Sequence, residues 1–246
     1  MCKKLFLVML ILTAAGFIFA QTPTAADLLR MVDNNEVFDT IQYEGEMIIE
    51  YNNRRVVRTM NAWARGNMDS FIEFTNAEDR GTRYLRARGR LMVYTPDIEG
   101  VMLISGHMLR ESMMGSDMSY EDALDNAPLS ARYTPLILGT ETINGRLAWA
   151  LELTAQSRTE GYPMRKLYID QENNDVLRTE LFALSGAMLK EFNLLRVEVI
   201  GGRRFPVEME VRDLLRRGSR TVFTMNNVIL DRPIADSVFS ERNLRR

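Results

Sequence analysis

Apolar and polar residues alternate with a period of two along most of the chain beyond residue 40. Leu147, Trp149, Leu151 and Leu153 alternate with Ala148, Ala150, Glu152 and Thr154, and Phe205, Val207, Met209 and Val211 alternate with Pro206, Glu208, Glu210 and Arg212. Successive side chains of a strand point to opposite sides, so this period predicts strands with one packed and one wetter face. It returns over residues 219–230 and, more loosely, over 41–51, 54–65, 68–75, 82–88, 91–95, 164–170, 176–184 and 189–200. Turn signals part these runs: Asn52-Asn53, Gly66-Asn67, Asn144-Gly145, Asn173-Asn174, Gly201-Gly202 and Gly218. About ten strands at roughly ten-residue spacing predict an antiparallel meander that curls into a barrel or a half-barrel.

Two stretches break the alternation. Thr24, Asp27 and the apolar Leu28, Leu29, Met31 and Val32 predict a capped amphipathic helix ending near Asn34 or Asn35. Between a strand near Leu103 and another starting near Tyr133 the period is lost, and residues 120–124 read as helical. A helical insertion in a β-meander covers an open mouth or plugs the interior. This one holds Met102, Met108, Met113, Met114 and Met118 around the polar signature MGSD followed by SYED. Methionine is unbranched and polarizable, so such a segment suits an apolar partner of variable shape, for example an acyl chain. It equally suits an ordinary core filled by flexible side chains.

The start of the chain has a different character. Lys3 and Lys4, an apolar run over 5–19 and Ala20 before Gln21 predict a cleaved secretory signal peptide over residues 1–20, hence a periplasmic destination. Cys2, the sole cysteine, lies ahead of that run, so the mature chain is expected to lack thiols, disulfides and a lipid anchor of its own. Removing 20 of 246 residues leaves 226, with 29 basic side chains against 33 acidic ones, a net of about −4. With 46% hydrophobic residues and no later run long enough to span a bilayer, the mature chain reads as soluble. No linker or repeat interrupts residues 21–246, and a single domain is expected there. The near-balanced charge argues against a nucleic-acid partner. Lysine is nearly absent, and Arg86, Arg88 and Arg90 alternate as along a strand, where they would meet an anionic headgroup or simply solvent.

Catalytic chemistry finds few candidates. The mature chain has one histidine, His107, and no cysteine, which rules out a multi-histidine metal site and a thiol nucleophile. No GxSxG elbow and no Gly-rich phosphate loop occurs. Asp117, Glu121 and Asp122 cluster, and Asp117 and Glu121 would share a helical face at i and i+4. The simpler reading makes Asp117 or Ser119 a helix N-cap, with Glu121 and Asp122 in the first turn. No enzyme activity and no cofactor are expected.

The order GTRYL at 81–85, VYTP at 93–96, Ile104-Ser105 and MGSDMSYED at 114–122 resembles the outer-membrane lipoprotein-sorting protein family, which is similar to the LolA/LolB periplasmic lipoprotein carriers. Tyr133, the Asn144-Gly145 turn before LAWAL and the closing DSVFSERNL extend the resemblance over nearly the whole mature chain. Met92 stands where relatives often have tryptophan. The resemblance implies a mainly β fold: a strongly curved antiparallel sheet, an unclosed barrel, with helices covering an apolar concave face. It implies a carrier or binding protein that shelters acyl chains of lipoproteins or lipids during transfer toward the outer membrane. The partners expected are an acylated lipoprotein or lipid, an inner-membrane transporter and, transiently, a membrane. The groove is expected to use Met92, Tyr94, Met102, Met108, Met113, Met114 and Met118, with Trp63, Phe71, Phe74 and Trp149 as wall residues. Asp117 and Tyr120 are expected to organise the lid hinge. A sensor or accessory subunit docking on an inner-membrane transport complex is the alternative, and a hydrolase built on the Asp117 cluster a third.

Overall fold

The structure is a computed structural model and describes residues 22–66, 68–98, 100–125 and 127–246. The leader expected over 1–20 lies outside them. Helix α1 (Ala25–Glu36) starts on a capping box, with the Asp27 N–H donating to Thr24 Oγ1 at 3.1 Å and the Thr24 N–H to Asp27 Oδ2 at 3.1 Å. It runs one or two residues past the expected end, and the Val37 N–H closes on the Asp33 carbonyl.

Strands β1 (Thr40–Tyr51), β2 (Arg54–Arg65), β3 (Asp69–Phe74), β4 (Arg83–Ala87), β5 (Arg90–Thr95) and β6 (Gly100–Ile104) form a first meander. A second contains β7 (Tyr133–Ile143), β8 (Arg146–Ala155), β9 (Met164–Asp170), β10 (Val176–Phe182), β11 (Met188–Ile200), β12 (Arg203–Asp213) and β13 (Arg220–Leu230). Antiparallel pairing of β1 with β13 fuses them into one sheet of thirteen strands, with β6 and β7 at its two ends. The sheet curves without closing, and residues 105–132 connect its two edges. The loss of period two in that stretch thus falls where the barrel is open.

Thirteen strands exceed the expected ten because edge strands are weakly patterned. Met102 and Leu103 are consecutive and both exposed in β6, and β7 contains Pro135, whose missing N–H is tolerated at a sheet edge. The hairpins follow local chemistry. Asn52 and Asn53 at φ 50° and 60°, and Asn144 and Gly145 at 49° and 79°, make two-residue turns that set the registers Tyr51↔Arg54 and Ile143↔Arg146. Arg88 does not continue the alternation of Arg86 and Arg90. With Gly89 it forms the left-handed turn joining β4 to β5, at φ 53° and 72°, in the register Ala87↔Arg90.

Both faces of the sheet are packed. On the inner face, Ile41, Met60, Ile72, Phe74, Val93 and Phe205 belong to one core cluster, to which the 105–124 segment adds Met113, Met118 and Leu124. Helix α1 seals the other half of that face, setting Leu28, Leu29 and Val32 on Leu151, Leu153, Leu167 and Ile169. Burial of each of these helix side chains contributes about 1.5–3 kcal/mol. On the outer face, a short C-terminal helix α3 (Glu241–Leu244) and the turn before it bring Leu244 and Phe239 onto Phe71, Leu85 and Met92. Helical cover therefore lies on both sides of the sheet.

Candidate functional site

Two cavities flank helix α2 (Tyr120–Leu124), the one helical turn in the segment that spans the open side of the sheet. The inner one encloses about 330 Å³ between α1, α2 and the inner sheet face. Its walls are mostly apolar: Ile41, Ile72, Leu167, Leu181, Phe205 and Phe223 from the strands, and Met118 and Leu124 from the lid. Polar residues also border it on the sheet and α1 side, among them Asp33, Glu36, Tyr43, Thr179 and Asn193. Burial raises the Tyr43 hydroxyl to about 12. The Glu36 carboxyl is raised to about 7, first by burial and then by the negative charges of Asp33 and Asp175. The outer cavity, about 360 Å³, is more polar than the inner one and lies between the β6 edge and the loop before β9, with Arg86, Arg90, Tyr120, Glu160 and Tyr162 on its walls beside Leu103 and Leu109. Asp122, Leu124 and Asp125 border both cavities, so α2 is the partition between them.

The segment across the open side is held by buried and partly buried polar bonds. Ser119, not Asp117, caps α2: its Oγ accepts from the Asp122 N–H at 3.1 Å, and Asp122 Oδ2 accepts from the Ser119 N–H at 2.8 Å. The same Asp122 carboxylate pairs with Lys190 of β11 and accepts from the Tyr162 hydroxyl at 2.7 Å. Asp125 accepts from Arg132 at 2.8 Å and Arg165 at 3.3 Å, and Arg86 donates to the Leu124 carbonyl. Asp117 lies ahead of α2 and has no exposed surface. Its Oδ2 accepts from Thr221 at 2.6 Å, its Oδ1 from the Asp213 N–H at 3.2 Å, and its own N–H donates to Thr221 Oγ1 at 2.9 Å. These bonds fasten the lid loop to β12 and β13, a hundred residues away in sequence. Tyr120 stacks on Tyr84 with centroids 5.6 Å apart, and the Tyr84 hydroxyl donates to Met114 Sδ at 3.1 Å. Met114 takes φ 53°, a left-handed conformation that reverses the chain between Met113 and Gly115. Asp117 and Glu121 share no helical face, because the helix begins at Tyr120, and both Asp117 and Asp122 have their oxygens occupied. His107 is exposed in a turn at the lid's start.

The sequence-predicted groove residues separate into groups. Met118 lines the inner cavity, while Met113, Met114, Met108 and Phe74 pack beside it in the inner core. Met102 lies exposed on β6 and Trp149 joins the cluster under α1. Phe71, Met92 and Tyr94 lie instead on the outer face with Phe239 and Leu244. Trp63 borders the cavity between Ala62 and Ala64, but its ring packs on Phe71 at 5.9 Å in that outer cluster. A period of two pairs residues into faces without naming the inner one, so Val93 and not Met92 points inward. Phe205, Phe223, Leu181 and Glu36 were not singled out. The three apolar ones carry the ordinary strand signal, and Glu36 carries none.

A family model described as "-like: Uncharacterized protein" matches residues 66–246. The chain belongs to that family. Among solved structures, a DUF1329 family protein from Desulfovibrio piger ATCC 29098 has a TM-score of 0.80 and 25% identity, over 89% of this chain and 97% of that one. A LolA superfamily protein from Nitrosomonas europaea has a TM-score of 0.75 and 22% identity, covering 91% of this chain and 100% of its own. A domain described as an outer membrane lipoprotein-sorting protein, from Vibrio parahaemolyticus, has a TM-score of 0.76 at 19% identity over 89% and 98%. The fold is LolA-like. No curated protein sequence matches the chain. In this LolA-like chain no helix among the described residues is long and apolar enough to cross a membrane.

Proposed function

We propose that the chain is a periplasmic carrier or binding protein, a single LolA-like domain over residues 21–246, that shelters acyl chains of a lipoprotein or lipid during transfer toward the outer membrane. The observation that carries this reading is the apolar cavity on the inner face of an unclosed sheet, roofed by a methionine-bearing lid. Its volume of about 330 Å³ is at the lower end for small-molecule sites, which run from about 300 to 1,000 Å³. It corresponds to a closed state that widens when α2 moves. Each methylene buried there contributes about 0.8 kcal/mol, so a chain of ordinary length is retained without any polar contact. Release then requires opening the lid, and the polar partition at Asp122 and Asp125 is where opening begins. The carrier performs no catalysis in this reading, and its leader is removed on export.

Native mass spectrometry of the mature protein purified from a periplasm, followed by lipid extraction, tests it. Acylated species at near-stoichiometric level are the expected result. A ligand-free mass that persists after lipopeptide is offered in detergent-free buffer overturns it. Filling the cavity supplies a second check. Ala64 lines it and is buried, and Ala64→Phe is expected to reduce ligand load at least tenfold while the melting temperature stays within a few degrees, because the new ring occupies existing space.

The alternative is a sensor or accessory subunit that docks on an inner-membrane complex by its strands. The edge strand β7, with Leu136 and Leu138 exposed, favours it. A protein partner retained after gentle solubilisation, with no bound lipid, is its distinguishing result.

A further inference from the structure

Every charged side chain in the wall of the inner cavity has a partner except one. Asp122 is taken by Lys190 and Tyr162, and Asp125 by Arg132 and Arg165. Asp33 accepts the N–H groups of Leu129 at 2.8 Å and Ser130 at 3.0 Å. Glu36, on the last turn of α1, has neither a hydrogen bond nor an ion pair from its carboxyl to any described residue, yet it lines the cavity beside Val32, Phe38 and Phe205. The arginines nearby are committed elsewhere. Arg203 donates to the Val37 carbonyl at 2.7 Å and to Asp231 at 2.7 Å. Arg204 and Arg146 both bind Asp175, at 2.7 and 3.0 Å. The remaining charges close to Glu36 are therefore the carboxylates of Asp33 and Asp175, and both oppose its ionisation.

A carboxyl so placed at the edge of an apolar cavity is a site for a cation that the protein itself does not supply. An ionised carboxylate set half-buried against an apolar wall gains from a partner, and a ligand ammonium would provide three donors and the opposite charge. We propose that the inner cavity takes an amphiphile bearing a protonated amine, with its hydrocarbon part along Phe205, Phe223 and Met118 and its ammonium against Glu36. This rests on the carrier reading and adds its headgroup. The amine has two sources with the same chemistry: the free α-amino group of an acylated peptide, or the ethanolamine of a phospholipid.

The test is displacement of a neutral fluorescent apolar dye, N-phenyl-1-naphthylamine, from the mature protein by decylamine, decanol and decanoate at about pH 8.5. Decylamine is expected to displace the dye at about one-tenth the concentration of decanol, with decanoate weakest. Glu36→Gln is expected to bring the amine level with the alcohol. In the parent protein, lowering the pH to about 5.5 should shrink the amine-to-alcohol ratio, since decylamine stays protonated throughout while Glu36 gains its proton. Equal displacement by amine and alcohol, or a preference that survives Glu36→Gln, overturns the headgroup assignment and leaves the carrier reading standing. If no chain displaces the dye and the dye itself does not bind, both fall. Phosphatidylethanolamine and a diacylated peptide, each compared with its N-acetyl form, distinguish the sources. The compound that loses about tenfold on acetylation is the ligand class, and loss in neither overturns the proposal.

Discussion

Asp117 is fully buried and Glu36 half-buried on a cavity wall, and their surroundings give them opposite parts. Asp117 has donors on both carboxylate oxygens, so its charge is satisfied within the fold. Thr221→Val would remove one of them and leave a buried acceptor short of a partner, and a loss of about 1–3 kcal/mol in urea unfolding is expected. Glu36 has no donor among the described residues, and burial, with the charges of Asp33 and Asp175, raises its carboxyl from the ordinary 4.5 to about 7. The unfolded chain therefore loses this proton first as the pH rises, and stability falls between about 4.5 and 7 and remains lower above that range. Glu36→Gln removes the ionisation. The variant is expected to melt higher than the parent at about pH 8 and to converge with it below about pH 4.5. Thermal melts of the two proteins across that range check it, and parallel curves would contradict the assignment.

At the scale of elements, α2 is too short to hold itself together. A single helical turn is far below the length at which isolated helices persist in water. Its order comes from the Ser119 capping box, the Asp122 pairing with Lys190 and Tyr162, and the Arg86 bond to its last carbonyl. Asp122→Ala removes the reciprocal half of the capping box and leaves the Lys190 side chain, itself buried, without its partner. The expected cost is about 3–5 kcal/mol of stability, with amide exchange accelerating first in residues 113–125. Tyr162→Phe removes only one bond. It is expected to cost about 1 kcal/mol and, in the carrier reading, to speed ligand exchange with the affinity nearly unchanged.

At the scale of the molecule, the sheet ends do not meet, and residues 105–132 connect them, the lid of the carrier reading. The lid loop is bonded to the β12–β13 hairpin through Arg216, which donates to the Gly115 and Ser116 carbonyls at 3.1 and 2.7 Å. That hairpin also exposes Leu214 and Leu215 beside Arg217. Apolar side chains flanked by arginine suit transient contact with an anionic bilayer surface. Leu215→Asp is expected to reduce co-sedimentation with anionic vesicles several-fold while the fold is retained. That holds in the carrier reading, and equal sedimentation of the variant and the parent would contradict a membrane-contact role for this hairpin.

Strand positions, hairpin turns and the α1 cap were legible along the chain, with the α2 cap narrowed to Asp117 or Ser119, because each depends on neighbours within a few residues. Asn52-Asn53 requires positive φ, Thr24 caps α1 three residues before Asp27, and Ser119 does the same for α2 with Asp122. The open side of the sheet was legible too, since a stretch without period two has no place in a meander. Tertiary structure alone decided which face is the inner one, because curvature arises from all thirteen strands together and period two is symmetric between faces. That is why Trp63, Phe71, Met92 and Tyr94 ended on the outside against the C-terminal Phe239 and Leu244, more than 140 residues away. It also decided which carboxyl of the cavity wall is left without any hydrogen-bond or ion-pair partner among the described residues. Asp117 finds Thr221, Asp122 finds Lys190 and Glu36 finds no partner among the described residues, and these outcomes depend on distances in space that local sequence does not encode.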